Sequence, residues 1–181
     1  MMVSSWFSAT YPERNVKFIN RGMNGNRVRN LIDRWKKDCL DLKPDIVSIL
    51  IGINDIFGNG WLGWNNSTPI DRFETDYRKL LEITRKFLNA KIILLEPFLL
   101  YVTKEQFKYK EKLHKEKEIV NKLSREYETF LIPLDQIFLD ATRKKEPSFW
   151  AQDGVHPTLV GHALISQSWL KIIERNSVDS F

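Results

Sequence analysis

The sequence predicts a single α/β domain in which helices cover both faces of a parallel sheet. Helix-type and strand-type hydrophobic patterns alternate along the 181 residues, and this alternation is typical of parallel strands joined by helical crossovers. Residues 45–52 (DIVSILIG) are nearly all apolar and rich in β-branched side chains, as expected for an interior strand buried on both faces. The length and the 43% hydrophobic content fit one continuous core.

The first part of the chain predicts a helix, a strand and a second helix before that interior strand. Residues 2–11 carry apolar side chains at helical spacing and end at a Tyr-Pro pair. Residues 15–20 (NVKFIN) predict a short strand, and a glycine-containing turn follows. A helix is then expected over 28–35, where apolar residues recur every three or four positions, and Pro44 closes that connection.

The second part continues the alternation. The expected elements are a helix from about 70, a strand at 91–95, a long helix that turns Leu113, Val120, Leu123 and Tyr127 inward, a strand at 130–134, a short helix at 135–143 and a helix at 158–173. Ser67 or Thr68 is expected to cap the first of these helices. The sequence therefore predicts four strands.

Composition excludes several classes of protein. The net charge is +5, but the basic residues of 104–117 alternate with Glu105, Glu111 and Glu116, which is typical of a solvated helix face and not of a nucleic-acid-binding stripe. No run reaches the roughly 18 apolar residues of a membrane helix, and the first residues lack a signal-peptide pattern. Neither nucleic acid nor a membrane is an expected partner. Cys39, the single cysteine, is expected to be a buried thiol, which favours a cytoplasmic location.

A first candidate site lies in the run DGVHP, where Asp153 precedes His156 by three residues across a glycine turn. A histidine can act as a general base near neutral pH, and a carboxylate at this spacing can fix its tautomer through Nδ1. Pro157 then stands near the start of a helix, a position that tolerates proline. The same spacing also occurs in an ordinary turn, so this run alone leaves both interpretations open.

Two further runs end at the same predicted edge of the sheet. Residues 52–55 (GIND) follow the interior strand at the carboxyl edge, where open parallel sheets bind ligands. Asn54 can donate an uncharged amide N–H to an oxyanion. Residues 21–26 (RGMNGN) precede a helix, so a backbone N–H near Gly25 could face an anion. Plain turns remain the alternative for both runs.

Together, these three runs resemble the SGNH hydrolases, also called the GDSL esterase/lipase family, over nearly the whole chain. Gly25 stands at the position of the family glycine whose N–H donates to the oxyanion hole, and Asn54 at that of the oxyanion asparagine. Residues 153–157 look like the block that supplies the acid, Asp153, and the base, His156. The resemblance implies a three-layer α/β/α, flavodoxin-like fold over 1–181 and hydrolysis of carboxylic esters by a Ser-His-Asp mechanism. It implies no metal or cofactor.

The chain departs from the family pattern at its first block. The Gly-Asp-Ser sequence that carries the nucleophilic serine is absent. Ser4, Ser5 and Ser8 lie on the expected first helix, and Ser48 is expected mid-strand in the core, so no nucleophile is assigned. In this family the missing strand is the first and is central in the sheet. An N-terminally truncated esterase is the favoured interpretation, and a real shortened protein that closes the gap by strand pairing or association is the alternative.

Apolar residues near the motifs predict the substrate pocket. They are Trp61 and Trp64 after Asn54, Pro97 and Phe98 after a strand, and Trp150 before Asp153. The tryptophans could stack on sugar rings or simply fill space, and Pro97 and Phe98 could add to the acyl pocket. The expected substrate is a small short-chain acyl or acetyl-sugar ester. The 181-residue chain is nevertheless expected to be inactive, and the alternative is a non-catalytic remnant that binds acetylated glycans or a protein partner. The oligomeric state is left open.

Overall fold

Three parallel strands form the sheet of the described structure. The computed structural model describes residues 2–58 and 66–175. Strands β1 (Ile46–Leu50), β2 (Lys91–Leu95) and β3 (Phe130–Ile132) lie in the order β1-β2-β3. β1 pairs with β2 over its full length, and β3 pairs over its full length with the last three residues of β2. Parallel neighbours joined by helical connections confirm the predicted α/β class.

Within the described ranges, eight α-helices accompany this sheet. They are α1 (Met2–Thr10), α2 (Val28–Asp38), α3 (Ile53–Phe57), α4 (Ile70–Phe87), α5 (Lys110–Glu126), α6 (Leu134–Thr142), α7 (Pro147–Trp150) and α8 (Leu159–Arg175). Short 3-10 helices at Leu40–Leu42 and Lys104–Tyr109 precede β1 and α5. All the predicted helices are present, whereas α3 and α7 were not predicted.

Two hydrophobic clusters on opposite faces of the sheet give the domain three layers. Successive side chains of a strand point to opposite faces, so Ile92 and Leu94 belong to one cluster and Ile93 and Leu95 to the other. The first cluster contains core residues of α2, α4 and α5, and the second contains core residues of α1, α6 and α8. This arrangement is the predicted α/β/α architecture.

The predicted strand at residues 15–20 is wrong, because this segment does not join the sheet. Val16 and Ile19 are each 44% exposed. Phe18 fixes the segment instead, since its ring packs edge-on against Phe7 at 5.6 Å and Trp169 at 6.3 Å between centroids. A strand requires a ladder partner, and none of the described strands lies beside these residues. The described residues therefore contain three strands where four were predicted.

β1 is an edge strand of the described sheet, which corrects its predicted burial on both faces. Val47 and Ile49 are buried, but Ser48 is exposed and Leu50 is 43% exposed. Ser48 is therefore not a core residue, and its hydroxyl oxygen accepts a hydrogen bond from Trp169 Nε1 at 2.7 Å. An apolar sequence predicts a strand, but the burial of each side chain depends on which elements lie beside that strand and over its faces.

Cys39 is a buried thiol, as predicted, at the C-terminal cap of α2. Burial raises its pKa to about 11, so the thiol stays protonated at neutral pH. None of the helices within the described ranges combines the length and apolar character that crossing a bilayer requires.

Gly161 provides a test of the packing between α7 and α8. A Cβ at this position would lie 2.1 Å from the Trp150 carbonyl oxygen, so we expect Gly161→Ala to lower the free energy of unfolding by on the order of 1–3 kcal/mol. Helix propensity alone predicts the opposite sign, a gain of roughly 1 kcal/mol. Urea unfolding separates the two, with Gln167→Ala at an exposed position of α8 as the control. A stabilised Gly161→Ala protein would contradict this packing.

Candidate functional site

The carboxylate of Asp153 organises the turn that carries His156. Asp153 Oδ2 lies 2.6 Å from His156 Nδ1, and Oδ1 accepts the backbone N–H of Val155 at 3.0 Å and of His156 at 2.8 Å. An ionised carboxylate only accepts hydrogen bonds, so Nδ1 carries the ring proton and Nε2 is the acceptor nitrogen of the neutral imidazole. The turn therefore presents a histidine in the tautomer that a general base needs.

Asp153 remains ionised in this arrangement. Partial burial acts to raise the pKa of its carboxyl, but the hydrogen bonds from the His156 ring and from the two backbone amides lower it, and the net direction is downward. A carboxylate that stays charged can stabilise the imidazolium that forms when His156 accepts a proton. The side chain of His156 is 64% exposed, so its ring is accessible from solvent.

The segment after β2 holds this turn against the sheet. The Leu100 N–H donates to the Gly154 carbonyl oxygen at 2.9 Å. Gly154 has a φ of +90°, and a Cβ there would lie 2.2 Å from the Leu100 carbonyl oxygen. Glycine is therefore required at this position both by its backbone conformation and by the close approach of the two segments.

An open cavity of about 390 Å³ lies beside the turn. Its lining residues are Gln152, Asp153, His156, Pro157 and Thr158. Four of these five residues have polar side chains, and Pro157 is the apolar one.

A hydrogen bond connects Asn54 to the segment that contains Gly25. Asn54 lies in the first turn of α3 and donates its Nδ2 hydrogen to the Asn26 carbonyl oxygen at 3.0 Å. Gly25, the residue before Asn26, has a φ of +75°. This hydrogen bond joins the two runs that could supply oxyanion donors. The described contacts place the pair at the end of β1, whereas His156 and Asp153 are held by the segment that follows β2.

Asp55 is a buried anchor that sequence analysis did not select. It is 1% exposed, and its oxygens accept the Val28 N–H at 3.1 Å and the Thr68 hydroxyl hydrogen at 2.8 Å. Burial raises the pKa of this carboxyl, and the two hydrogen bonds only partly oppose that rise. Thr68 therefore does not cap α4 as predicted, because its hydroxyl is engaged by Asp55 and Pro69 stands at the cap. The first N–H groups of any helix have no partner within the helix, so a predicted helix start at Val28 indicates that an acceptor is needed there.

Helix α5 contacts the backbone of Asp55 and Thr68 through a lysine side chain. Lys112 Nζ donates to the carbonyl oxygens of Asp55 at 3.0 Å and Thr68 at 2.6 Å. Glu116, one turn later, is fully buried, and a Cβ on Gly52 would lie 3.0 Å from its Oε2. The solvated face predicted for residues 104–117 is thus wrong at Glu116. The alternation of charges in sequence cannot show that this residue turns toward the sheet.

The carboxyl group of Glu116 is neutral near pH 7. Burial, followed by the charge of Asp55, raises its pKa to about 9, although Lys112 acts in the opposite direction. Neither carboxyl oxygen has a hydrogen-bond partner among the described residues. A protonated acid is consistent with such a setting, because an isolated buried charge would cost far more free energy.

The residues predicted to line the pocket differ in their burial and contacts. Pro97 and Phe98 are buried, and Phe98 stacks on Phe138 at 4.3 Å, so both support the site from within and do not form a cavity wall. Trp150 is half-buried, and its Nε1 donates to the Lys145 carbonyl oxygen at 3.2 Å. Trp61 and Trp64 lie outside the described residues.

The serines considered as nucleophiles are fixed in regular elements. Ser4, Ser5 and Ser8 lie on α1, as expected, and Ser48 lies within β1. None of these four follows a strand on a sharp turn, the setting that exposes a nucleophilic serine in esterases of this general type. His156 and Asp153 are thus assembled without an assigned nucleophile.

The buried Glu116 predicts a pH-dependent stability. With a folded pKa of about 9 and an ordinary unfolded value, the folded state binds an extra proton between roughly pH 4.5 and 9. Stability is therefore lost as pH rises through this window. Replacing the acid by Glu116→Gln removes that loss, so we expect the variant to gain on the order of 2–4 kcal/mol relative to the parent between pH 5 and pH 8.

Urea unfolding at the two pH values measures this difference. Glu118→Gln, at an exposed position of the same helix, is the matched control and should change little. An identical pH dependence in the parent and in Glu116→Gln would show that the carboxyl is not held protonated.

Comparison with known proteins places the chain in a family of hydrolases. Residues 2–164 match the GDSL-like Lipase/Acylhydrolase family. An acetylxylan esterase of Geobacillus stearothermophilus is 31% identical over 168 residues, which span 91% of this chain and 75% of that protein.

Solved structures agree with the sequence match. A GDSL-like lipase from Parabacteroides merdae has a TM-score of 0.87 at 33% identity, over 93% of this chain and 78% of that one. The Geobacillus acetylxylan esterase has a TM-score of 0.84 at 29% identity, over 94% and 78% of the two chains. These relatives support an esterase or acylhydrolase. The chain belongs to the GDSL-like lipase/acylhydrolase family.

Proposed function

We propose that this chain carries the acid–base and oxyanion parts of a serine esterase site. His156 is the general base, Asp153 orients it, and the Asn54 side chain and the Gly25 N–H stabilise the oxyanion. The observation that carries the proposal is the 2.6 Å contact between Asp153 Oδ2 and His156 Nδ1, which leaves Nε2 as the proton acceptor. Family membership supports the same assignment.

The proposed reaction is the hydrolysis of a carboxylic ester in two steps. Nε2 of His156 takes the hydroxyl proton of a serine while the serine oxygen bonds to the ester carbonyl carbon, and the carbonyl oxygen becomes an oxyanion. The oxyanion is stabilised by N–H donors aimed at it. His156 then gives its proton to the leaving alcohol, an acyl-serine remains, and a water molecule activated by the same histidine releases the acid.

The nucleophile is the part that these 181 residues do not supply in the expected context. Structures of the related acetylxylan esterase include catalytic mutants in which a histidine or a serine is replaced by alanine. We propose that the esterase requires a Gly-Asp-Ser strand in addition to these residues and that the 181-residue chain alone has negligible activity. Removal of a triad nucleophile leaves only the residual catalysis of the oxyanion hole and substrate binding.

An acetylated sugar is the proposed substrate class. Relatives from Geobacillus stearothermophilus are an acetylxylan esterase, matched by sequence, and an acetyl-xylooligosaccharide esterase, matched by structure. The open cavity at His156 has polar side chains at four of its five lining positions, which is consistent with a hydrophilic alcohol as the leaving group. The alternative, a non-catalytic protein that binds acetylated glycans, is favoured by the positions of Ser4, Ser5, Ser8 and Ser48 within regular elements.

Hydrolysis of p-nitrophenyl acetate and of acetylated xylooligosaccharides tests the proposal. We expect no rate above background for the 181-residue chain. We expect activity for a form extended by the in-frame coding sequence upstream of Met1 when that sequence contains Gly-Asp-Ser.

In the active form, His156→Ala should lower kcat by about 10⁴-fold or more. Asn54→Ala should lower kcat by about 10²- to 10³-fold. His162→Ala, at an exposed histidine of α8, should leave the rate unchanged.

Two outcomes would overturn parts of this proposal. Robust hydrolysis by the 181-residue chain, abolished by a serine-reactive phosphonate, would mean that one of its own serines is the nucleophile. A stop codon upstream, together with binding of acetylated xylooligosaccharide without hydrolysis, would favour the non-catalytic alternative.

A further inference from the structure

We infer that Gln106 is a positioning residue for the Asp153–His156 pair. Its side-chain amide connects the backbone of Asp153 to the segment that follows β2, and so fixes where the catalytic carboxylate stands relative to the sheet. The inference rests on the proposed function of that pair, and it concerns a residue on another element, the 3-10 helix before α5.

The amide of Gln106 makes three hydrogen bonds at once. Its Nε2 donates to the Asp153 carbonyl oxygen at 2.7 Å. Its Oε1 accepts the backbone N–H of Val102 at 2.7 Å and of Thr103 at 2.9 Å. The side chain is half-buried, so these bonds are shielded in part from competition by water.

This set of partners determines both the side-chain type and its orientation. A flipped amide would direct its NH₂ group at two N–H donors and its oxygen at a carbonyl oxygen, leaving all three contacts repulsive. A glutamate of the same shape could accept from Val102 and Thr103 but would present a second oxygen to the Asp153 carbonyl. A primary amide of this length satisfies both sides.

A second hydrogen bond, next to the one from Gln106, connects the same turn to the segment after β2. The Leu100 N–H donates to the carbonyl oxygen of the next residue, Gly154. A Cβ on Gly154 would lie 2.9 Å from Gln106 Nε2 and 2.2 Å from the Leu100 carbonyl oxygen. Two successive carbonyl groups of the turn are therefore held by one segment, residues 100–106.

The location of the bond explains why it should matter for chemistry. The three donors that surround the Asp153 carboxylate belong to the turn itself, so they keep its internal shape but do not place it. Gln106 reaches the carbonyl on the Asp153 residue, whose Cα also carries the carboxylate side chain. Displacements of about 1 Å at a catalytic group can cost roughly 10²-fold in rate.

The tautomer of His156 gives a readout that does not require hydrolysis. Ring ¹⁵N chemical shifts of the 181-residue chain, measured where the imidazoles are neutral, report which nitrogen carries the proton. In the parent we expect the Nδ1–H form of His156. Gln106→Met keeps the length and removes all three hydrogen bonds of the amide. We expect the displaced carboxylate to bind Nδ1–H less well, so that the ratio of Nδ1–H to Nε2–H falls by about two- to tenfold, the usual worth of one hydrogen bond.

Two further variants complete the experiment. Gln106→Glu keeps the shape and reverses the donor, so the ratio should fall in the same direction, and it serves where Gln106→Met does not fold. Gln136→Met is the control, because Gln136 is exposed and bonds only to Asp140 on its own helix among the contacts described. A folded Gln106 variant with the parent's tautomer ratio would overturn the positioning role.

The result is separable from the proposed function. If the extended form fails to hydrolyse esters, the esterase proposal is lost while the tautomer comparison still tests Gln106. If the extended form is active, Gln106→Met should lower kcat by about 10- to 100-fold with little change in KM. An unchanged kcat, with or without a raised KM, would also contradict the inference.

Discussion

The buried carboxylate of Asp55 is the contact on which the proposed oxyanion part of the site depends. Its oxygens accept the N–H that opens α2 and the hydroxyl of Thr68 just before α4, while Asp55 itself lies in α3. A carboxylate taken out of water is tolerable only when donors such as these satisfy it, so three segments must meet at one group. The positive end of α2 adds a favourable dipole at the same point. The hydrogen bond of Asn54 to Asn26 is therefore positioned by the neighbouring residue.

Further polar groups lie close to Asp55. The ammonium group of Lys112 donates to the Asp55 carbonyl oxygen, and the protonated carboxyl group of Glu116 lies beside Gly52. The fully buried Tyr77 hydroxyl belongs to the same cluster, since burial and the charge of Asp55 both raise its pKa. A second anion in this low-dielectric setting would repel Asp55. The end of β1 thus tolerates one buried carboxylate because the acidic and phenolic groups around it remain neutral.

Local patterns allowed much of the fold and the contact between Asp153 and His156 to be predicted, and non-local contacts account for what was missed. The Asp153–His156 turn is short enough that spacing alone places the carboxylate near the ring, and the helices follow from apolar periodicity. The strand at 15–20 and the burial of Ser48 were wrong because both depend on which elements lie beside a strand. Glu116 and Thr68 were misassigned because their partners, Gly52 and Asp55, are distant in sequence. Gln106 stands in a capping-box pattern that begins at Thr103. That local pattern predicts its bond to Thr103 but not its bond to Asp153, which is 47 residues away in sequence.

The two parts of the candidate site are positioned by segments that follow different strands. Asn54 and Gly25 depend on the end of β1, an edge strand whose outer face leaves Leu50 exposed. His156 and Asp153 depend on residues 100–106, which follow β2, the central strand of the described sheet. A central strand is paired on both sides, whereas an edge strand has an open ladder. The contact between Asp153 and His156 is therefore held by a segment whose strand is paired on both sides, and it does not depend on what lies beside β1.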